Sequence, residues 1–138
     1  MDTNTKPRIL IVEDHPLIAE LVETRLRIEG MTPTKCGGGR EALAALAAEQ
    51  FDAVILDIMM PDVDGYEVLR SIRSTPVTST LPVIFLTAKS SPADVEKGLA
   101  LGANHYITKP FSGQDLMRKL RLCLAERKLS AAESPAAG

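Results

Sequence analysis

The sequence contains no apolar run close to the roughly 18 residues that span a bilayer. Its opening stretch, MDTNTKPR, lacks the apolar core of a secretory signal. Charge of one sign is not in excess either: 16 Lys and Arg face 18 Asp and Glu, a net −2 at neutral pH. That balance gives no bias toward nucleic acid or an anionic membrane. Cysteine is scarce. Cys36 and Cys123 stand far apart and form no CxxC or Cys/His pattern, so they read as reduced thiols and not as a disulfide or zinc pair. Together these absences point to a cytoplasmic protein without membrane attachment. What is present, 45% apolar and 25% charged residues over 138 positions, is the mixture of one ordinary globular domain, burying about two-thirds of its unfolded surface.

Short apolar runs alternate with stretches of helical spacing. Arg8 to Glu13 (RILIVE) is an apolar run ending in acid, and Pro16 opens a helix with Leu17, Ile18, Leu21, Val22 and Leu26 at its period, stopped by Gly30. Met31 to Cys36 reads as a weak strand and Gly37-Gly38-Gly39 as a turn; no GK[ST] follows to make it a phosphate loop. Arg40 to Gln50 carries another apolar helical stripe. Ala53 to Leu56 (AVIL) again ends in acid, at Asp57. Pro61 and Asp64-Gly65 mark a loop before a helix over Tyr66 to Arg73. Pro82 to Leu86 (PVIFL) precedes Thr87 and a helix from near Pro92; Ala103 to Thr108 is a fifth strand, and Ser112 caps a last helix. Residues 7–126 form the domain and 127–138, ending in SAAESPAAG, a flexible C-terminal tail.

Five strand–helix units whose strands are apolar throughout call for a parallel sheet covered on both faces. Right-handed crossovers then favour the flavodoxin-like (βα)5 doubly wound α/β fold, strand order 2-1-3-4-5. Ligands in such sheets sit beyond the carboxyl ends of the strands, at the switch point between the first and third. Glu13 and Asp14 end strand one, Asp57 strand three and Thr87 strand four, with Lys109 after strand five. Every polar group singled out converges on one sheet edge. Clustered carboxylates need a cation, and hard oxygen ligands at a wet edge suit Mg2+. A carboxylate can attack a phosphoryl group to give an aspartyl phosphate, with a cation, the Lys109 ammonium and the Thr87 hydroxyl each available to a phosphoryl oxygen.

The segments ILIVEDHP, VILDIMMPDVDGYEVLR, PVIFLTAK and ANHYITKPF, in this order and spacing, resemble the receiver domain, the phosphoacceptor module of two-component response regulators, in its single-domain CheY-like form. The resemblance covers residues 7–126. It implies Asp57 as phosphoacceptor, Thr87 and Lys109 as the phosphate-sensing pair, and Thr87 with Tyr106 as the switch. It further implies Mg2+ (with Mn2+ able to substitute) held by Asp14, Asp57 and the Met59 backbone carbonyl, with Glu13 acting mainly through water. The Lys109-Pro110 peptide is cis by the same analogy. Phosphate is expected to draw Thr87 inward, opening a space into which the Tyr106 ring rotates and changing the face of helix four, strand five and helix five. Implied partners are a sensor histidine kinase or histidine phosphotransfer protein, docking on helix one and the loop after strand five, and a downstream target protein. The module is then a monomer or a phosphorylation-dependent homodimer, and not an enzyme beyond its own phosphoryl transfer and autodephosphorylation.

Each residue also has a plainer role. Asp57 is otherwise a turn former, Asp14 and Thr87 helix caps, Lys109 a surface lysine and Tyr106 a packing residue. The sequence departs from the family pattern at His105, where many relatives carry an acid, and in the glycine run. A phosphatase of the haloacid dehalogenase type would need a second Asp where Met59 stands and its nucleophile after the first strand. A receiver decayed into a phosphate-independent binding module is opposed by the intact polar set. Too few residues follow the last helix for a DNA-binding output, so a stand-alone regulator without direct nucleic-acid binding is expected, unless the segment belongs to a longer regulator or hybrid kinase.

Overall fold

The computed structural model describes residues 6–133. Its elements are β1 (Arg8–Val12), α1 (Pro16–Ile28), β2 (Thr32–Cys36), α2 (Gly39–Ala48), β3 (Ala53–Leu56), α3 (Gly65–Ser74), a 3-10 turn at Pro76–Thr78, β4 (Val83–Thr87), α4 (Pro92–Ala100), β5 (His105–Thr108) and α5 (Gly113–Glu133). The five strands are all parallel, in the order β2-β1-β3-β4-β5. This is the doubly wound α/β fold expected from the apolar runs.

The strands are apolar throughout because each sheet face is covered. Leu10, Val12, Val54, Leu56, Val83 and Phe85 face one layer, packed with Ala42 of α2 and Val68, Leu69 and Ile72 of α3. Their neighbours Ile9, Ile11, Ala53, Ile55, Ile84 and Leu86 point the other way, onto Val22 and Leu26 of α1 and Leu116, Met117 and Leu120 of α5. The twofold side-chain period of a strand thus feeds two cores at once. β2 is an edge strand, which explains its weak signal and admits Pro33, whose missing N–H would break a central ladder.

Capping follows the local sequence. Asp64 and Glu67 form a reciprocal capping box at α3, and the Ser91 and Ser112 hydroxyls accept the N–H groups of Asp94 and Asp115, both third in from the cap. Several boundaries differ from expectation, and two of the differences have a visible cause. Ala103 and Asn104 precede β5, because Ala103 N–H closes the turn onto Gly98 O and the Asn104 side chain accepts from Val83 N–H. α5 continues to Glu133, so residues 127–133, assigned to a flexible tail from their composition, are helical. Arg127 supports the extension by donating to the carbonyls of Phe51 and Asp52, both at 3.1 Å. The remaining tail residues, 134–138, lie outside the described ones.

Both cysteines are free thiols. Cys123 is buried among Met117, Leu120 and the sheet, and burial pushes its pKa up to about 11. In the unfolded chain the thiol ionises at lower pH, so its contribution to stability is whole below the ordinary thiol value and fades as pH rises toward about 11. We therefore expect a loss of about 2–3 kcal/mol across that window. Urea melts of wild type and Cys123→Ala at pH 8 to 11 check it: the variant should show a shallower alkaline decline, and parallel declines would refute it.

Candidate functional site

The carboxyl ends of β1, β3, β4 and β5 open onto one edge, and of the polar side chains predicted there Glu13, Asp14, Asp57 and Lys109 meet. Glu13 and Asp57 are 5% and 4% exposed, and Thr87 is fully buried; such burial of charge requires partners. Lys109 supplies one, its Nζ donating to Glu13 Oε1 at 2.8 Å and to Asp57 Oδ2 at 3.1 Å. Carboxylate oxygens of Glu13, Asp14 and Asp57 lie within 4.8 Å of one another. One ammonium among three carboxylates leaves the cluster net negative. Asp14 keeps its side chain exposed at the rim.

Electrostatics reflect that crowding. Burial raises the Glu13 pKa and, together with the Asp57 charge, outweighs the Lys109 hydrogen bond. Burial also works against the Lys109 charge, yet the Glu13 hydrogen bond and the Asp57 charge exceed it and hold the ammonium above its ordinary value. With its side chain 15% exposed and paired to two carboxylates, Lys109 is not a plain surface lysine.

Backbone geometry fixes the carboxylates. Glu13 Oε2 accepts the His15 N–H at 3.1 Å; His15 is the N-cap of α1 and makes no side-chain cap bond. Asp14 is therefore not the cap of that helix. Asp57 Oδ1 accepts the Met59 N–H at 3.1 Å, while the Met59 side chain points out, 53% exposed. The β3–α3 loop turns sharply at Asp62, whose φ is +73°, and returns at Gly65, whose N–H donates to Ile58 O at 3.0 Å. A Cβ at Gly65 would sit 2.6 Å from Ile58 Cα and closer still to the Asp57 carbonyl oxygen. The sequence shows Gly65 only as a turn residue; its tight contact with the Asp57 backbone is a structural finding.

On the other side, Thr87 and Tyr106 are joined through Lys89. The Lys89 N–H donates to Thr87 Oγ1 at 3.3 Å, and the Tyr106 hydroxyl donates to Lys89 O at 2.8 Å. The Tyr106 ring meets Phe85 edge-on, centroids 5.8 Å apart. The ring is part-buried and packs against this β4 residue. The Lys109–Pro110 peptide is cis.

The response regulator receiver domain model matches residues 9–121. The chain belongs to the response regulator receiver family. It is 40% identical over 128 residues to the probable transcriptional regulatory protein TcrX of Mycobacterium tuberculosis, covering 93% of this chain and 54% of that protein. It is 38% identical to the DNA-binding response regulator MtrA of Mycolicibacterium smegmatis, covering 96% of this chain and 57% of that protein. Among solved structures, the chemotaxis response regulator CheY4 of Vibrio cholerae superposes with a TM-score of 0.82 at 32% identity, over 87% of this chain and all of that one.

This receiver domain spans about half the length of the curated relatives it matches. Those relatives carry names of transcriptional and DNA-binding regulators, so the expectation of a stand-alone regulator without DNA-binding output finds no support in them. Receiver domains bind Mg2+ at an acidic pocket, and Glu13, Asp14 and Asp57 form an acidic cluster here. Receiver domains work with histidine kinases and downstream targets and are not enzymes in the usual sense. No helix among the described residues is long and apolar enough to cross a membrane.

Proposed function

We propose that this receiver domain accepts a phosphoryl group on Asp57 from a histidine kinase or histidine phosphotransfer protein and so changes what it binds. The observation that carries the reading is Lys109 Nζ within hydrogen-bond reach of both Glu13 and Asp57, beside an oxygen-only carboxylate cluster. An Asp57 carboxylate oxygen attacks phosphorus as the P–N bond of phosphohistidine, or the P–O bond of acetyl phosphate, breaks in line. The donor leaves with that bond's electron pair and Asp57 becomes an acyl phosphate. Lys109 neutralises charge on the phosphoryl oxygens, and the Thr87 hydroxyl holds another. The donor set fits Mg2+, with Mn2+ of the same class: Asp14, Asp57 and the Met59 carbonyl would hold it, with Glu13 acting through water. Bound there, it supplies charge neutralisation for the phosphoryl oxygens.

The signal then passes through Lys89. A Thr87 side chain drawn toward phosphate carries its Oγ1 away from the Lys89 N–H, and the Lys89 carbonyl is the acceptor for Tyr106. A local charge change thus reaches the α4–β5–α5 face through one residue. For the donor, α1 offers Leu17, Leu21 and Ile28, 66%, 64% and 74% exposed, beside Pro110 and Phe111 of the β5–α5 loop. This apolar strip borders the site and suits a partner helix. The names of the longer relatives support one output: the receiver governs a DNA-binding segment outside these residues by changing protein contacts, in the cytoplasm, as a monomer or as a dimer formed on phosphorylation.

The test is location. After treatment with acetyl phosphate and Mg2+, borohydride reduction and peptide mapping should place the modification at Asp57; modification of another residue overturns the reading. A second expectation concerns lifetime. The exposed thioether of Met59 has no donor and only a weak acceptor with which to orient a hydrolytic water, so Met59→Asn should shorten the phosphoryl lifetime by several-fold to about tenfold, within the reach of one new hydrogen bond. Equal decay of label in the two proteins would refute it.

A further inference from the structure

Helix α4 runs over only Pro92–Ala100 and carries glycine at position 98, its single buried residue. Glycine is the least favourable residue short of proline inside a helix, so its place there asks for a compensating contact. The contact is with the aromatic switch. A Cβ on Gly98 would lie 2.9 Å from Tyr106 Cε2, 3.0 Å from Tyr106 Cδ2 and 3.0 Å from Phe85 Cδ2. These are distances that carbon atoms do not hold without one partner moving.

Which partner moves is decided by what each is tied to. Phe85 is fully buried in the central sheet and wedged edge-on between Tyr66 and Tyr106, centroids 5.9 and 5.8 Å away. α4 is pinned at both ends. Ser91 caps its first turn. The turn after its last residue is gripped by Arg73, whose guanidinium donates to Gly102 O at 3.1 and 2.8 Å and to Asn104 Oδ1 at 3.0 Å. Tyr106 is only part-buried and held at its far end by the one bond to Lys89 O. The ring of Tyr106 is the part free to yield.

We infer that Gly98 is a positioning residue for the switch: the missing side chain on α4 leaves the slot in which the Tyr106 ring packs against Phe85 and reaches Lys89. Filling the slot forces the ring outward and locks the α4–β5 surface in one form, while the phosphoryl chemistry at Asp57 proceeds. The consequence for signalling rests on the switch role proposed for Tyr106; the placement of the ring does not.

The full chain labelled with 3-fluorotyrosine gives two fluorine NMR lines, one for each of its two tyrosines, assigned with Tyr66→Phe. In Gly98→Ala, without any phosphoryl donor, the Tyr106 line should move toward the free amino acid and gain the water isotope shift of an exposed ring. The Tyr66 line should stay, and mass gain from acetyl phosphate should persist. A Tyr106 line that does not move overturns the inference; so does movement of both lines, which would mean that α4 yields and not the ring. A thermal cycle guards against a folding defect: Gly98→Ala should lower the melting temperature beside the native tyrosine and lower it much less in a Tyr106→Ala background. Equal shifts in both backgrounds overturn it too. Failure of wild type to take up phosphate would count against the Asp57 reading alone, because the ring measurement needs no donor.

Discussion

Lys109→Met is expected to slow phosphoryl transfer from acetyl phosphate to Asp57 by about 10²–10³-fold, the loss typical of one preorganised charge-stabilising donor. The ammonium is fixed before any substrate arrives, 2.8 Å from Glu13 and 3.1 Å from Asp57, with its side chain 15% exposed. It therefore meets negative charge spreading onto the phosphoryl oxygens without reorganising, in surroundings where water screens little. Methionine keeps the length and apolar stem of lysine, so packing against the β5–α5 loop is preserved and the charge is what is removed. Lys109→Arg keeps the charge but spreads it over a wider fork and should recover only part of the rate. Labelling rates followed by intact mass decide the matter, with melting curves to confirm folding. A rate for Lys109→Met within about threefold of wild type, under 1 kcal/mol of barrier, would remove Lys109 from the reaction.

Gly65→Ala should cost about 3 kcal/mol or more in stability and disable Asp57 at the same time. The added Cβ would fall 2.6 Å from Ile58 Cα and 2.9 Å from the Asp57 carbonyl carbon. Its neighbours are backbone and not a flexible side-chain tip, so overpacking here lies at the upper end of its usual range. Relief requires the β3–α3 loop to shift, and that loop carries both Asp57 and the Met59 N–H that orients it. Gly38→Ala is the control. That position is extended, with φ −169°, and a Cβ there meets nothing within 4 Å, so it should change stability by under about 0.5 kcal/mol. Denaturant melts and acetyl phosphate labelling on both variants test the contrast; equal effects would refute it.

The fold was legible because a parallel sheet leaves a plain mark in one dimension. Arg8–Val12, Ala53–Leu56 and Val83–Thr87 are apolar at every or nearly every position since both faces are buried. β2, Thr-Pro-Thr-Lys-Cys, reads weakly because an edge strand has less to bury. The reach of α5 was not legible: a run of Ser and Ala after Leu129 looks like tail, and its helix draws on Arg127 bonding carbonyls more than 70 residues away in sequence. The identities of Glu13, Asp14, Asp57, Thr87 and Lys109 followed from their places at or just after strand ends. Their wiring did not. That Lys109 spans Glu13 and Asp57, that Lys89 joins Thr87 to Tyr106, and that Gly65 and Gly98 serve as absences of side chain all depend on distances between elements remote in the chain.

One measurement bears most directly on Asp57 as a phosphoacceptor: intact mass after acetyl phosphate, with and without Mg2+, on wild type and Asp57→Asn. The account predicts a gain of one phosphoryl group in wild type, dependent on Mg2+ and absent from Asp57→Asn. An equal gain in Asp57→Asn, or a gain indifferent to Mg2+ removal by chelation, would contradict it.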